Sequence, residues 1–303
     1  MWFVFTLTTT LLWGLAELFY KKGALPTEKY AHLKTCVCVG AIMGLHAFYM
    51  LATQDIHYNP MNILRYLPVS LLYIVSMGCS YFGMRFIEES ISDPIENTSG
   101  AICTLLCMLI LGEEISNASL SAICIIVIGI LGIGFLENYG QTDRKRKIGR
   151  KLATLAFAMP FLYAALDAVG SFLDIYYLDI STSPLIDITE ENIETIANTS
   201  YEITFALCAL LIYGFLHYKN VYFNLPAQGD KLLAAVCETA GQFTYVYAMS
   251  GNGAIAAPII SSVCMVSLIL SRIFLKEKLT WQQYVFIALI IGGIIALAII
   301  EGD

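Results

Sequence analysis

Charge is what this sequence has least of. Asp, Glu, Lys and Arg supply 14% of its 303 residues and hydrophobic residues 58%, against about 25% charged residues in a soluble domain. That shortage excludes an ordinary soluble enzyme or nucleic-acid-binding domain. Long hydrophilic stretches are missing too, since the largest, 138–151 and 178–197, are too short to fold alone. The four histidines have no spacing that completes a metal site with the Cys36 and Cys38 pair. Neither HExxH nor GxSxG occurs, and no His–Asp arrangement shares a span, so the chain reads as a non-enzyme with no catalytic residue, metal or cofactor. Cysteine is present nine times, but Cys79, Cys103, Cys107, Cys124, Cys208, Cys237 and Cys264 fall within apolar runs. There the thiol acts as a small hydrophobe, and no disulfide framework is expected.

What is there is apolar sequence in lengths that suit a bilayer. About 20 such residues span a hydrocarbon core about 30 Å thick. Runs fall at 2–20, 35–52, 64–86, 91–111, 118–137, 152–177, 198–218, 230–250, 254–275 and 281–300. The expectation is an all-α membrane protein with ten transmembrane helices. The first run has no basic flank and exceeds a signal-peptide core, so it counts as a mature helix. Assigning the breaks alternately to two sides places 16 of the 17 Lys and Arg on one side and leaves only Arg65 on the other. Short cytoplasmic loops collect positive charge. The basic loops, including "RKRKIGRK" at 144–151, are therefore expected in the cytoplasm and both termini outside. That basic run reads as an orientation signal beside anionic headgroups, and no nucleic-acid partner is assigned. The acidic break "LDISTSPLIDITEENIETIANTS" reads as a solvated outer loop.

An internal duplication is visible. Residues 80–137 lie over 244–301 without a gap, with 12 of 58 positions identical, among them Tyr81/Tyr245, Pro94/Pro258, Glu113/Glu277 and Gly129/Gly293. At the start "LLWGLAE" (11–17) lies over "FLYAALD" (161–167), pairing Trp13 with Tyr163 and Glu17 with Asp167. The chain divides into a five-helix repeat, 1–137, a basic linker, 138–151, and a second repeat, 152–303, that carries the acidic loop 178–197. Five is odd, so the second copy enters from the opposite side. Such inverted repeats typify secondary transporters with a site between the halves.

Two five-helix repeats, "LLWGLAE", "SGNGAIAAPI" and the closing "FLKEKLTWQQYVFIALIIGGIIAL" resemble the EamA branch of the drug/metabolite transporter superfamily. The resemblance covers the whole chain and is clearest in the second half. It implies a ten-helix transporter working by alternating access, with a central cavity lined by the first, third, fourth, sixth, eighth and ninth helices, and a small-molecule substrate. The expected location is a bacterial inner membrane. The "LAE" at 15–17 also resembles the first-helix glutamate of the small multidrug resistance proteins, where protons and cations bind in turn.

Ionisable groups inside membrane helices cost about 2.5–3.5 kcal/mol each on insertion scales and so mark candidate sites. Glu17, Asp93, Glu96, Asp167, Asp174 and Glu238 form that set, with no Lys or Arg at comparable depth. Polar neighbours recur at helical spacing: Tyr163, Asp167, Gly170, Ser171 and Asp174; Asp93, Glu96, Asn97, Gly100 and Thr104; Glu238, Gln242 and Tyr245. Bland readings stand beside the functional ones. Glu17 is one turn from Lys21 and can snorkel into a headgroup-level pair. Asp93 and Glu96 suit the start of a helix, and Asp174 reads as solvated near the outer end. Asp167 and Glu238 have no such partner within a turn.

The expected substrate site comprises Trp13, Glu17, Tyr81, Glu96, Asn97, Tyr163, Asp167, Glu238, Gln242, Tyr245 and Ser261, with Glu17, Asp167 and Glu238 carrying the coupling proton. A desolvated carboxylate binds either a proton or a cation, so competition between them gives antiport. Aromatic faces add cation–π contacts of about 0.5–2 kcal/mol. Pro94, Pro160 and Pro258 are the expected hinges, and Gly129, Gly132, Gly292 and Gly293 the expected close helix contacts. The leading reading is a secondary transporter of a small polar metabolite, an organic cation or amine exchanged for protons. The alternative is a lipid or lipid-linked sugar translocase of the same superfamily.

Overall fold

In hydrocarbon every backbone N–H and C=O needs a partner within the protein, so apolar runs become helices. A computed structural model describes residues 1–23, 28–54, 56–83, 86, 92, 95–140, 150–221, 223–274 and 279–301. Among them every regular element is helical. In order these are α1 (Trp2–Gly23), α2 (Ala31–Thr53), the short α3 (Met61–Arg65), α4 (Leu67–Gly83), α5 (Ser99–Leu106), α6 (Asn117–Gly140), α7 (Arg150–Leu178), α8 (Ile193–Tyr218), α9 (Gly229–Ile260), α10 (Val263–Phe274) and α11 (Trp281–Glu301). Even the threonines of α1 fit this rule, because Thr6 and Thr10 donate to the carbonyls of Trp2 and Thr6 one turn back, at 3.0 and 2.8 Å. A π turn, Cys107–Leu111, extends α5 and stops at Gly112, whose φ of 72° is left-handed.

The protein is an all-α membrane protein. Five helices, α1, α2, α7, α8 and α11, are long and apolar enough to cross a bilayer, and α9 with α10, bent by 52°, makes a sixth if taken as one span. Leu67–Gly83, Ser99–Leu111 and Asn117–Ile133 are shorter apolar helices. Within α9, Asn252 has a non-helical backbone (φ −161°, ψ 69°), at the break between the expected runs 230–250 and 254–275. Pro258 lies beyond that break, and Pro160 lies inside α7. Pro94 and Asp93 fall outside the described residues, as does most of the linker 138–151.

Packing repeats itself when the two series of helices are exchanged. Helix α1 runs along α9 as α4 runs along α7; α1 meets α10 as α7 meets α5; α2 pairs with α8 and α6 with α11. The α6/α11 contact is reciprocal at single residues. A Cβ on Gly129 would lie 2.5 Å from Ile290 Cγ1 and 3.2 Å from the Phe286 carbonyl, and one on Gly293 would lie 2.7 Å from Ile126 Cγ1 and 3.0 Å from the Ala122 carbonyl. Each of those pairs is related by the offset of 164. Lipid tails are as apolar as leucine, so close backbone approach of this kind is what holds such helices together. Gly132 joins the contact, against Phe286, whereas Gly292 meets nothing within 4 Å. Successive helical residues point about 100° apart, so only one of two adjacent glycines can face the partner.

The two ends of the bundle are fastened differently. At the end carrying residues 179–192, Asn62 exchanges hydrogen bonds of 2.9 Å with the Ile186 carbonyl and N–H. Asn59 donates to Asp187 at 3.0 Å, and Arg65 donates to the Pro184 carbonyl. This acidic segment is thus tied to α3 as a cap, while Asp179, Asp187, Glu190 and Glu191 stay exposed. At the opposite end Glu28 joins Lys34 at 2.7 Å and Lys231 at 2.8 Å, tying the approach to α2 to the start of α9. Burial works against the Glu28 charge, but hydrogen bonds and charge from Lys231 and Lys34 prevail and hold its carboxyl below the ordinary value.

Candidate functional site

The stripes of polar residues on separate helices meet at one cavity of about 120 Å³. Helix α7 contributes Tyr163, Asp167 and Ser171, at i, i+4 and i+8, and α9 contributes Glu238, Gln242 and Tyr245 on one face. From α1 come Trp13, Glu17 and Tyr20; from α4, Tyr73, Met77, Ser80 and Tyr81; from the approach to α5, Glu96 and Asn97, and from its first residue, Ser99. Ser261, at the C-terminal end of α9, completes the set. All eleven residues of the expected substrate site are therefore brought to the same lining. Lys21, the alternative partner of Glu17, has its side chain outside the described set.

Aromatic contacts fix the shape of the walls. Trp13 stacks on Tyr245 with centroids 5.1 Å apart and planes at 28°, and its Nε1 donates to the Glu238 carbonyl at 3.3 Å. The ring reaches α9 only because residue 241 is glycine: a Cβ there would lie 2.4 Å from Trp13 Cδ1. Opposite, the Tyr81 hydroxyl donates to the Tyr20 hydroxyl at 2.8 Å. Where α5 crosses α9, the Gly100 N–H donates to Ser261 Oγ at 3.0 Å and Thr104 Oγ1 donates to the Ala254 carbonyl at 2.7 Å.

Four carboxylates, Glu17, Glu96, Asp167 and Glu238, line this space, and Lys, Arg and His are absent from the described lining. Glu96 accepts from Ser80 Oγ at 2.7 Å and from Ser92 Oγ at 2.6 Å. Ser99 and Tyr163 lie beside Asp167, and Tyr20 beside Glu238, which also has Glu17 and Asp167 as charged neighbours. Gln242 is only 5% exposed, yet among the described residues its side-chain amide has no hydrogen-bond partner. A buried amide left open towards a cavity is equipped to meet something that enters it.

Two acids differ from expectation. Asp174 is fully buried, not solvated: Tyr66 donates to its Oδ1, and its Oδ2 has no hydrogen-bond partner. Counting from the end of α7 misjudged its depth because α3 and the segment 184–187 cover that end of the helix. Glu202 of α8, with 0% exposure, was missed altogether. Its two oxygens lie 2.7 and 2.8 Å from His46 Nδ1 of α2, 156 positions away. The signal was available, since Glu202 is an acid within the run 198–218; its partner was not, because nothing local links it to His46.

Comparison with known proteins agrees with the architecture. Residues 1–135 and 181–299 match the family model for the EamA-like transporter family. No curated protein sequence matches the chain. A solved crystal structure aligns with a TM-score of 0.68 over 98% of this chain and 96% of its own length at 13% identity, a likeness of fold alone. Spanning most of both halves, the family match identifies the chain as a member of the EamA-like transporter family, and so as a membrane transporter of the drug/metabolite transporter superfamily.

Proposed function

We propose that the chain is a secondary transporter of a small polar metabolite, an organic cation or amine, exchanged for protons at the central cavity. The observation that carries this reading is the charge of the lining: four carboxylates from separate segments converge with no Lys, Arg or His among the described lining residues. Such a site attracts cations and repels anions. The stacked Trp13 and Tyr245 and the bonded Tyr20 and Tyr81 offer π faces to an ammonium group. Because a proton and a cation compete for the same carboxylates, loading one releases the other. Glu17, Asp167 and Glu238 carry that exchange in this reading, and Gln242 supplies a hydrogen bond to the cargo.

Alternating access follows from two inverted five-helix repeats, 1–137 and 152–303, with α9 divided at Asn252 to give ten crossings. The reciprocal Gly129/Ile290 and Gly293/Ile126 contacts support it. So does the placing of loops: 59–65 with 184–187, and Glu194 with Ser250 at 2.8 Å, share one end, while Glu28 and Lys231 share the other. In this arrangement Pro160 and Pro258, inside α7 and α9, are where the halves flex. The excess of Lys and Arg puts the Glu28 end in the cytoplasm and both termini outside, in a bacterial inner membrane. A lipid-translocating role finds less support, because four carboxylates line the cavity.

The test is thermal stabilisation of the purified protein by putrescine, ethanolamine and tetraphenylphosphonium, against neutral and anionic compounds of similar size, at two pH values. Cations are expected to stabilise more at the higher pH, and Asp167→Asn and Glu238→Gln to remove the effect. Stabilisation by anions alone, or shifts unchanged in both variants, would reject the reading.

A further inference from the structure

Beyond the cavity, towards the end carrying residues 179–192, lies a second polar cluster that the transport reading does not use. Its centre is Asp174, with no solvent exposure. Tyr66 donates to Oδ1, Tyr73 also faces the carboxyl, and Oδ2 is buried without a hydrogen-bond partner. The groups around it come from every packed helix: Ser171 one turn back on α7, Tyr66 and Tyr73 at and within α4, Tyr201 on α8, Tyr245 on α9 and Cys103 on α5. All are hydroxyls or a thiol, and none of these described neighbours is Lys, Arg or His. A carboxylate placed there has no countercharge, and the group that most simply removes its charge is a proton.

Between Asp174 and the cavity lies a layer of hydroxyls bonded to one another. The Tyr73 hydroxyl lies 2.6 Å from that of Tyr245, and both reach Ser171 Oγ, at 3.2 and 3.1 Å. Tyr73, Tyr245 and Ser171 line the cavity, and Asp167 is one turn from Ser171 on the same helix. Asp174 and Tyr66 stand behind that layer of hydroxyls. On the far side, Tyr66 packs edge-on against the partly exposed Tyr177, 5.8 Å between centroids. The position is a station between the end of the bundle and the site.

We infer that Asp174 is a proton-relay site, taking a proton from the 179–192 end of the bundle and passing it through Tyr73, Tyr245 and Ser171 to the cavity carboxylates. The inference rests on the transport reading for its purpose but not for its chemistry. In each step a hydroxyl oxygen accepts one proton on a lone pair and releases its own to the next oxygen. The hydroxyls are unchanged at the end, and one proton has moved from the Asp174 carboxyl to a carboxylate such as Asp167. A tyrosine layer of this kind conducts a proton while blocking a larger cation.

The experiment is an infrared-detected pH jump on the full-length protein in lipid nanodiscs, with no cargo present. Protonated carboxyl groups are followed by their carbonyl stretch. The expected result is a carbonyl band that is lost in Asp174→Asn and displaced in Tyr66→Phe, and protonation of the cavity carboxyls slowed at least tenfold in Asp174→Asn and Tyr73→Phe. A spectrum and rates indistinguishable from the natural chain in these variants would overturn it. Should Asp174→Asn fail to fold, Tyr66→Phe and Tyr73→Phe decide alone: an undisplaced band and an unchanged rate overturn the relay. Failure of every organic cation to stabilise the protein would instead strike the transport reading and leave this result standing.

Discussion

The outer pair α6/α11 and the central cavity can be set on the same alignment of the two halves, and they keep it to different degrees. In the pair, equivalent positions hold equivalent residues: Gly129 and Gly293, Ile126 and Ile290. Around the cavity the correspondence is partial: Tyr81 lies over Tyr245 and Glu17 over Asp167, whereas Glu96 lies over Ile260 and, with the offset of 164 carried past the aligned stretch, Glu238 over Ile74 and Gln242 over Gly78. Backbone contact between lipid-facing helices needs only small residues in register, so symmetry costs it nothing. The lesson is that the scaffold keeps the correspondence closely and the cavity keeps only part of it.

That contrast can be broken, most forcefully at the cavity. Replacing the asymmetric Glu238 by Gln, or Asp167 by Asn, should lower pH-gradient-driven uptake of putrescine or ethanolamine roughly tenfold or more with little change in thermal midpoint. Transport assays in proteoliposomes with parallel unfolding scans check this. Next in size is Glu28→Gln, which leaves Lys34 and Lys231 without their carboxylate and should cost about 3 kcal/mol, read by denaturant or thermal unfolding in detergent. Because the Glu28 carboxyl is held below its ordinary 4.5, its contribution is complete above that value and lost as pH falls through the lowered one. The natural chain should therefore lose part of its acid-range stability advantage over Glu28→Gln, and keep it at neutral pH.

The scaffold half of the contrast is sharpened by Gly129→Val and Gly293→Val. Both force a Cβ against the equivalent isoleucine, so each should destabilise by about 1–3 kcal/mol, and by similar amounts, while Gly292→Val should do neither. Unequal losses would break the reciprocity. The smallest effect is expected from Asn62→Ala, which removes the paired hydrogen bonds to Ile186 and should cost about 1 kcal/mol. Hydrogen–deuterium exchange of residues 184–187 is the sensitive readout, and it should rise in that variant.

Much of this arrangement was legible in the sequence because membrane helices expose their rules locally. A polar stripe such as Tyr163, Asp167 and Ser171 must face protein or water, and the repeat tells which helices face each other. What was not legible depends on contacts across the bundle. His46 and Glu202 are recognisable as a pair only when α2 is laid against α8. Asp174 was read as solvated because distance along a helix measures depth only where nothing covers the helix end, and here Tyr66 and the segment after α7 cover it. Gly292 and Gly293 look alike in sequence, and helical phase alone separates them. The break of α9 at Asn252, by contrast, was legible, because the apolar runs part between residues 250 and 254.

The central claim is that a cation and a proton occupy the same cavity carboxylates in turn. It is tested most directly by mixing purified protein with putrescine, ethanolamine or tetraphenylphosphonium in weakly buffered solution and following proton release with a pH-sensitive dye. The account predicts that binding releases protons from the natural chain and releases none from a chain carrying both Asp167→Asn and Glu238→Gln. Cation binding without proton release, or equal release from both chains, would contradict it.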